Sequence, residues 1–190
     1  IIQLLDYLYI DESALIGHEM GAAIIADLAE RYPNYVSSLI MVTPTSIEGE
    51  LPEERLFRKY SHKIRNWDDE KQNKFLEKHR YYKPRKVDKF LKHVEDTNVI
   101  STKEETQAIE DVFKETAISS IFEHVTKPTL IIAGEHGERI TTLESKEVAD
   151  LVKESQFDVY AQSSLYPFEE EKDKFIKDVT PFIKKYMPEH

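Results

Sequence analysis

Cysteine is absent from the 190 residues. That excludes a disulfide scaffold, a thiolate nucleophile and any cysteine-bound metal, and it fits a reducing compartment such as the cytoplasm. Glycine is scarce, with five, so each one marks a place where a side chain would obstruct the backbone. No apolar run approaches the roughly 18–20 residues that cross a bilayer, and the mean hydropathy is −0.54; no membrane span is expected. The start, Ile1-Ile2-Gln3-Leu4-Leu5-Asp6, lacks the basic region and small-residue cleavage site of a secretory signal. It also lacks an initiating Met, which points to a fragment of a longer chain. There is no Gly-x-Gly-x-x-Gly and no phosphate-binding loop, and no two histidines stand three or four residues apart. Neither a cofactor nor a metal is therefore expected.

What is present is enough for a core: 40% hydrophobic residues, 11% of all residues aromatic. Lys and Arg total 26 against 36 Asp and Glu, a net charge of −10, which argues against nucleic acid as a partner. The charge is uneven. From Glu53 to His93 there are 14 basic and 7 acidic residues; the remainder has 12 and 29. A basic middle segment, net +7, sits inside a body of net −17.

Apolar patterning divides the chain. Ile1, Leu4, Leu5 and Leu8 have helical spacing, and Ser13–Ile16 reads as a short buried strand ending at Gly17. Gly21–Arg31 reads as a helix stopped before Pro33, and Val36–Val42 as a second buried strand. Strand, helix and strand in about 30 residues predict a right-handed βαβ unit and a parallel sheet. Residues 46–123 carry helical character with many Lys, Glu and aromatics. Strand patterning resumes at Pro128–Ala133, followed by a helix over about 142–154, a strand at Phe157–Ala161 and a final helix over about 168–186. An α/β body, residues 1–45 and 124–190, thus encloses a helical insertion, 46–123.

The run Leu15-Ile16-Gly17-His18-Glu19-Met20-Gly21, followed by an alanine-rich helix to Pro33, resembles the nucleophile elbow of the α/β-hydrolase family. There a strand turns sharply into a helix through Gly-x-Ser-x-Gly and presents the nucleophile at the helix N-terminus. Val36–Pro44 is similar to the family's next strand, Lys127–Gly137 to the strand leading to its catalytic acid, and Phe168–Tyr186 to its last helix. The resemblance implies an α/β-hydrolase-like, mostly parallel sheet whose insertion is a cap, as in epoxide hydrolases, dehalogenases and esterases. It also implies that the family's first strands are missing here. Ser13–Ile16 would then lack its usual neighbour, leaving an edge for a preceding segment or a second copy to cover. Gly17 and Gly21 are both expected where strand and helix approach too closely for a Cβ.

The catalytic positions depart from the family pattern. Glu19 stands at the nucleophile position, where esterases carry Ser and the other branches Asp; a carboxylate can serve as a nucleophile. The acid position falls on Gly137, with Glu135 and Glu138 nearby. Leu165 or a near neighbour stands where the general-base His belongs, and no His occurs from Gly137 to Glu189. His136 is the substitute base within the acid loop, His18 adjoins the elbow, and the Met20 amide is the oxyanion donor that remains. His18, Leu165 and Tyr166 are expected to line a ligand pocket under the cap.

Three departures at three positions imply a degenerate triad and a pseudoenzyme acting as a binding or regulatory module. The alternative is a hydrolase of a small ester, epoxide or halide, with Glu19 as nucleophile or base assisted by His136. The basic, aromatic face of the insertion reads as aromatics packed inward beneath solvated lysines. Glu169-Glu170-Glu171 reads as an acidic first helical turn.

Overall fold

The protein is described by a computed structural model covering residues 1–45, 52–87 and 117–187, with isolated positions between 89 and 112. Helix α1 (Ile2–Tyr7) precedes strand β1 (Ser13–His18), helix α2 (Met20–Arg31) and strand β2 (Val36–Val42). Helices α3 (Pro52–Ile64) and α4 (Asp69–Lys78) belong to the insertion, followed by a single 3-10 turn at Pro84–Lys86. Helix α5 (Ile118–Glu123) leads to β3 (Thr129–Gly134), α6 (Thr142–Leu151) and β4 (Ser155–Tyr160). The chain then forms the short α7 (Pro167–Glu170) and α8 (Lys172–Tyr186). Much of residues 88–116, and the expected boundary at 46–51, lie outside the described residues.

The four strands form one parallel sheet in the order β1-β2-β3-β4. Its central strands are buried throughout and mostly apolar, because both faces are covered. On β2, Leu39 and Met41 pack with α2, α5 and α6; Ile40 and Val42 alternate to the other face and meet Val179 and Phe182 of α8. Ala22, Ala23, Ala26 and Ala29 line the buried face of α2, and their small side chains let the helix lie close to the sheet. The result is three layers, with the loops after β3 and β4 on the side where α3 and α4 pack.

Two features differ from the sequence reading. In α1 only Leu5 is buried, while Ile1, Leu4 and Leu8 stay exposed: β1 is the sheet's edge, and among the described residues no layer covers the helix's outer side. The last helix is not continuous from 168. It breaks at Glu171, whose φ of −130° is extended; Glu169 and Glu170 stand in the first turn of the short α7, and Glu170 and Glu171 also hold neighbouring loop segments. Glu170 accepts from the amides of Tyr82, Ser164 and Tyr166, and Glu171 from the Gln162 amide and the Ser163 hydroxyl.

Helix α8 is fastened to the sheet by a polar clasp as well as by Phe182. The buried Tyr160 donates its hydroxyl to Asp178 at 2.9 Å, and Lys174 bridges Asp178 and Asp158 at 2.7 and 2.6 Å. Burial works to raise the Asp178 carboxyl, but hydrogen bonds from Lys174 and Tyr160 outweigh it and hold the group below the usual carboxylate range. The folded carboxyl therefore keeps its charge to lower pH than the unfolded one. The stabilisation is complete above the ordinary carboxylate range and is lost as pH falls through the lowered folded value. Asp178→Asn is expected to cost about 1 kcal/mol at neutral pH and to flatten the acid limb of the stability profile. Urea denaturation of both proteins between pH 3 and pH 7 checks this.

Candidate functional site

The turn from β1 into α2 carries the site. Glu19 occupies it with φ 50° and ψ −115°, a conformation that costs an L-residue about 1–3 kcal/mol and collects at functional positions. Its amide donates to the Val42 carbonyl at 3.0 Å, and its own carbonyl accepts from Ala22 at 3.0 Å, so both sides of the bend are pinned. Met20 opens α2; its amide is one of the first four, which have no acceptor within a helix.

Gly17 is dictated by this bend. A Cβ there would lie 2.3 Å from the Gly21 carbonyl oxygen and 2.7 Å from the Ala22 nitrogen. The same expectation fails for Gly21, where a Cβ would meet nothing within 4 Å: the crowding is between the strand's side chains and the helix backbone, and Gly21 contributes only its backbone.

Around Glu19 the charges are arranged for neutralisation. Arg139 Nε lies 3.1 Å from Glu19 Oε1, with both side chains about four-fifths buried. The contact is ionic, without the alignment of a hydrogen bond. His18 Nδ1 is 3.9 Å from Glu19 Oε2, and its Nε2 is 2.7 Å from the Leu165 carbonyl. A carbonyl can only accept, so Nε2 carries the proton. Burial, the largest influence, lowers the His18 pKa despite the nearby Glu19 carboxylate; the ring is neutral near pH 7, and its bare Nδ1 offers Glu19 no proton. Tyr166 and Phe168 enclose the ring at centroid distances of 5.0 and 5.1 Å.

Leu165, at the expected base position, is buried and held on both sides. Its carbonyl accepts from His18 and from the Thr43 hydroxyl, and its amide donates to Arg80 in the insertion. Tyr81 stacks on Tyr166 at 4.9 Å, so His18, Leu165 and Tyr166 meet beneath the insertion. His136 goes elsewhere. It is exposed, stacked on Tyr82 at 3.6 Å, and its Nε2 contacts the Ala161 carbonyl. Among the described residues, Glu19 faces the Arg139 guanidinium and the His18 ring, not His136.

The acid loop is equally committed. At Gly137 a Cβ would fall 1.9 Å from the Ile140 carbonyl oxygen, so no acid fits there without rebuilding the loop. Glu135 is exposed. Glu138 turns to the insertion, accepting from Lys59 at 2.9 Å, from Tyr60, and from His79 Nδ1 at 3.3 Å. Burial favours its neutral form, but these three donors prevail and its pKa is lowered; reciprocally, burial and Glu138 push the Tyr60 hydroxyl up to about 12. Arg55 adds a second tie, to Glu144 at 2.5 Å and the Arg139 carbonyl at 2.9 Å. The insertion's rings pack between its helices, Phe75 meeting Tyr60, Trp67 and His79, with Lys63 lying over Phe75.

The sequence reading missed Arg139, the residue that meets Glu19. The available signal was charge complementarity: a cation two positions beyond the acid position, facing a carboxylate where the pattern has a nucleophile. Among the described residues, no group of three or more His, Asp or Glu is arranged to hold a metal ion, and no helix is long and apolar enough to cross a membrane.

Gly17→Ala is expected to lower stability by about 1–3 kcal/mol, because the clash is with backbone. Gly21→Ala should be neutral, or stabilising by up to ~1 kcal/mol. Urea midpoints of the two variants check the asymmetry.

No protein-family model and no curated protein sequence matches the chain. Solved structures do. A putative non-heme bromoperoxidase from Mycobacterium tuberculosis H37Rv is similar with a TM-score of 0.77 at 14% identity, over 98% of this chain and 72% of that one. The enol-lactonase from Burkholderia xenovorans LB400 gives 0.76 at 18%, over 96% and 70%. A meta-cleavage product hydrolase from Pseudomonas fluorescens IP01 gives 0.72 at 16%, over 97% and 69%. With an alpha/beta fold family hydrolase from Bacillus anthracis also among the matches, the chain has the α/β-hydrolase fold.

Proposed function

We propose that this protein is a catalytically silent α/β-hydrolase-like module that binds a small molecule between Glu19 and the insertion, with residues 46–123 acting as a cap over a core of 1–45 and 124–190. The observation that carries this reading is the Glu19–Arg139 ion pair. A carboxylate nucleophile must be free to attack, and its ester must then meet activated water. Here the carboxylate is neutralised by a guanidinium, the neighbouring imidazole is spent on Leu165, and the base position is a buried leucine.

The solved structures that resemble this chain are named as hydrolase, lactonase and bromoperoxidase; what the present chain would share with them is a pocket in the same part of the fold. Roles follow accordingly. Glu19 and Arg139 form the polar floor, His18, Leu165 and Tyr166 the wall, and Met20 the residual amide donor. The β1 edge, where Ile16 is 51% exposed, would be covered by one further strand from a preceding segment or a second copy. A cytoplasmic setting agrees with the cysteine-free composition.

The hydrolase reading keeps one observation in its favour, the retained bend at Glu19 with φ 50°. Assays of p-nitrophenyl esters decide between the two. The binding module gives rates at the solution background for wild type and for Glu19→Gln alike, whereas turnover that Glu19→Gln abolishes would establish the hydrolase.

A further inference from the structure

At the elbow two hydrogen-bond acceptors stand side by side. His18 gives its Nε2 proton to the Leu165 carbonyl, and burial keeps the ring neutral, so Nδ1 retains a lone pair. That atom is 3.9 Å from Glu19 Oε2. Neither can donate to the other, and among the described residues no donor hydrogen-bonds to Nδ1 or to the carboxylate. Oε1 is enclosed against Arg139 Nε at 3.1 Å. The His18 and Glu19 side chains nevertheless keep 24% and 20% of their surface open, so the pair is reachable from solvent.

Because Arg139 already neutralises Glu19, the pair selects donors rather than charge. An ammonium would lie beside the guanidinium, and a carboxylate would set its oxygens against two acceptors. A hydroxyl has one hydrogen and serves one acceptor only. A nitrogen about 2.9 Å from each acceptor would see them about 85° apart, given their 3.9 Å separation. Two N–H bonds about 120° apart then reach both, with N–H···acceptor angles of about 150°. An alkyl amine is protonated near pH 7, whereas an amide nitrogen is neutral and keeps both hydrogens. The Tyr166 ring, 5.0 Å from that of His18, offers a planar apolar wall beside the pair.

We propose that the elbow binds a neutral primary amide on an aromatic or apolar body, its NH₂ group bridging His18 Nδ1 and Glu19 Oε2. The assignment rests on the elbow being a silent binding site and gives that site its ligand class. Acids of the same shape are excluded by the acceptor pair, and amides without N–H by the lack of a donor.

Calorimetric titration of the full chain with benzamide, benzoate and N,N-dimethylbenzamide tests this, since the three share one aromatic body. Benzamide is expected to saturate one site, with the other two at least about tenfold weaker. His18→Phe, verified as folded by circular dichroism, should weaken benzamide roughly three- to tenfold. In ¹⁵N spectra at pH 7, His18, identified by its loss in that variant, should show Nε2 protonated and Nδ1 bare. Added benzamide should shift Nδ1 while Nε2 keeps its proton. The proposal is overturned by no saturable benzamide binding up to about 10 mM, by equal affinity for either analogue, or by affinity that survives His18→Phe. A proton on Nδ1 in the free protein would also overturn it. Each of these results leaves the silence of the elbow to the ester assay. Release of ammonia from benzamide would instead support the amide site and defeat that silence, so the two failures are distinct.

Discussion

A carboxylate held at the tip of a strained turn has to be answered by something, and here the answer is Arg139. The bend leaves the Glu19 side chain about four-fifths buried, where an isolated charge would be costly. A guanidinium at 3.1 Å supplies the compensation. Removing one member of such a pair leaves the other uncompensated, at a cost of about 3–5 kcal/mol for fully buried pairs, so the two positions are coupled in what they tolerate. The same pairing takes away the nucleophilic freedom that the bend would otherwise confer. In the proposed reading, one contact thus sets both the stability of the turn and its chemical silence.

The surrounding loops are built to hold that contact still. Glu170 and Glu171 gather the amides of the 162–166 loop, Leu165 fixes the ring of His18, and Thr43, itself at φ 46°, braces the same carbonyl. Across the cleft, Glu138 and Glu144 draw α3 down onto the acid loop. Groups that might have done acid–base work are consumed as structural ties. The glycine at 137 is enforced by the Ile140 carbonyl, so that position cannot carry a restored acid without rebuilding the loop.

Much of the fold was legible in the residues because buried parallel strands are apolar on both faces. The stretches at 36–42 and 129–134 could hardly be anything else, and the elbow was marked by Gly17 and the alanines of α2. The edge was harder to read. The pattern in Ile1, Leu4, Leu5 and Leu8 promises a buried helical face, but burial depends on what lies beyond β1, and spacing carries no information about that. At the site, residue types showed what was missing, a base and an acid, but not what had taken their place. Arg139 becomes visible only when the loop after β3 folds back over the elbow. The split of the last helix at Glu171 goes with hydrogen bonds to loop amides four to nine residues back, which no local propensity encodes.

The claim that Glu19 is chemically silent is tested most directly by isotope transfer. A carboxylate that forms an ester intermediate takes up solvent oxygen each time water cleaves that ester at its carbonyl carbon. The protein, incubated in H₂¹⁸O with a panel of small esters, epoxides and alkyl halides and then digested, should yield a Glu19 peptide of unchanged mass. Incorporation of ¹⁸O at Glu19 in the presence of any of these compounds, and not without them, would contradict the account.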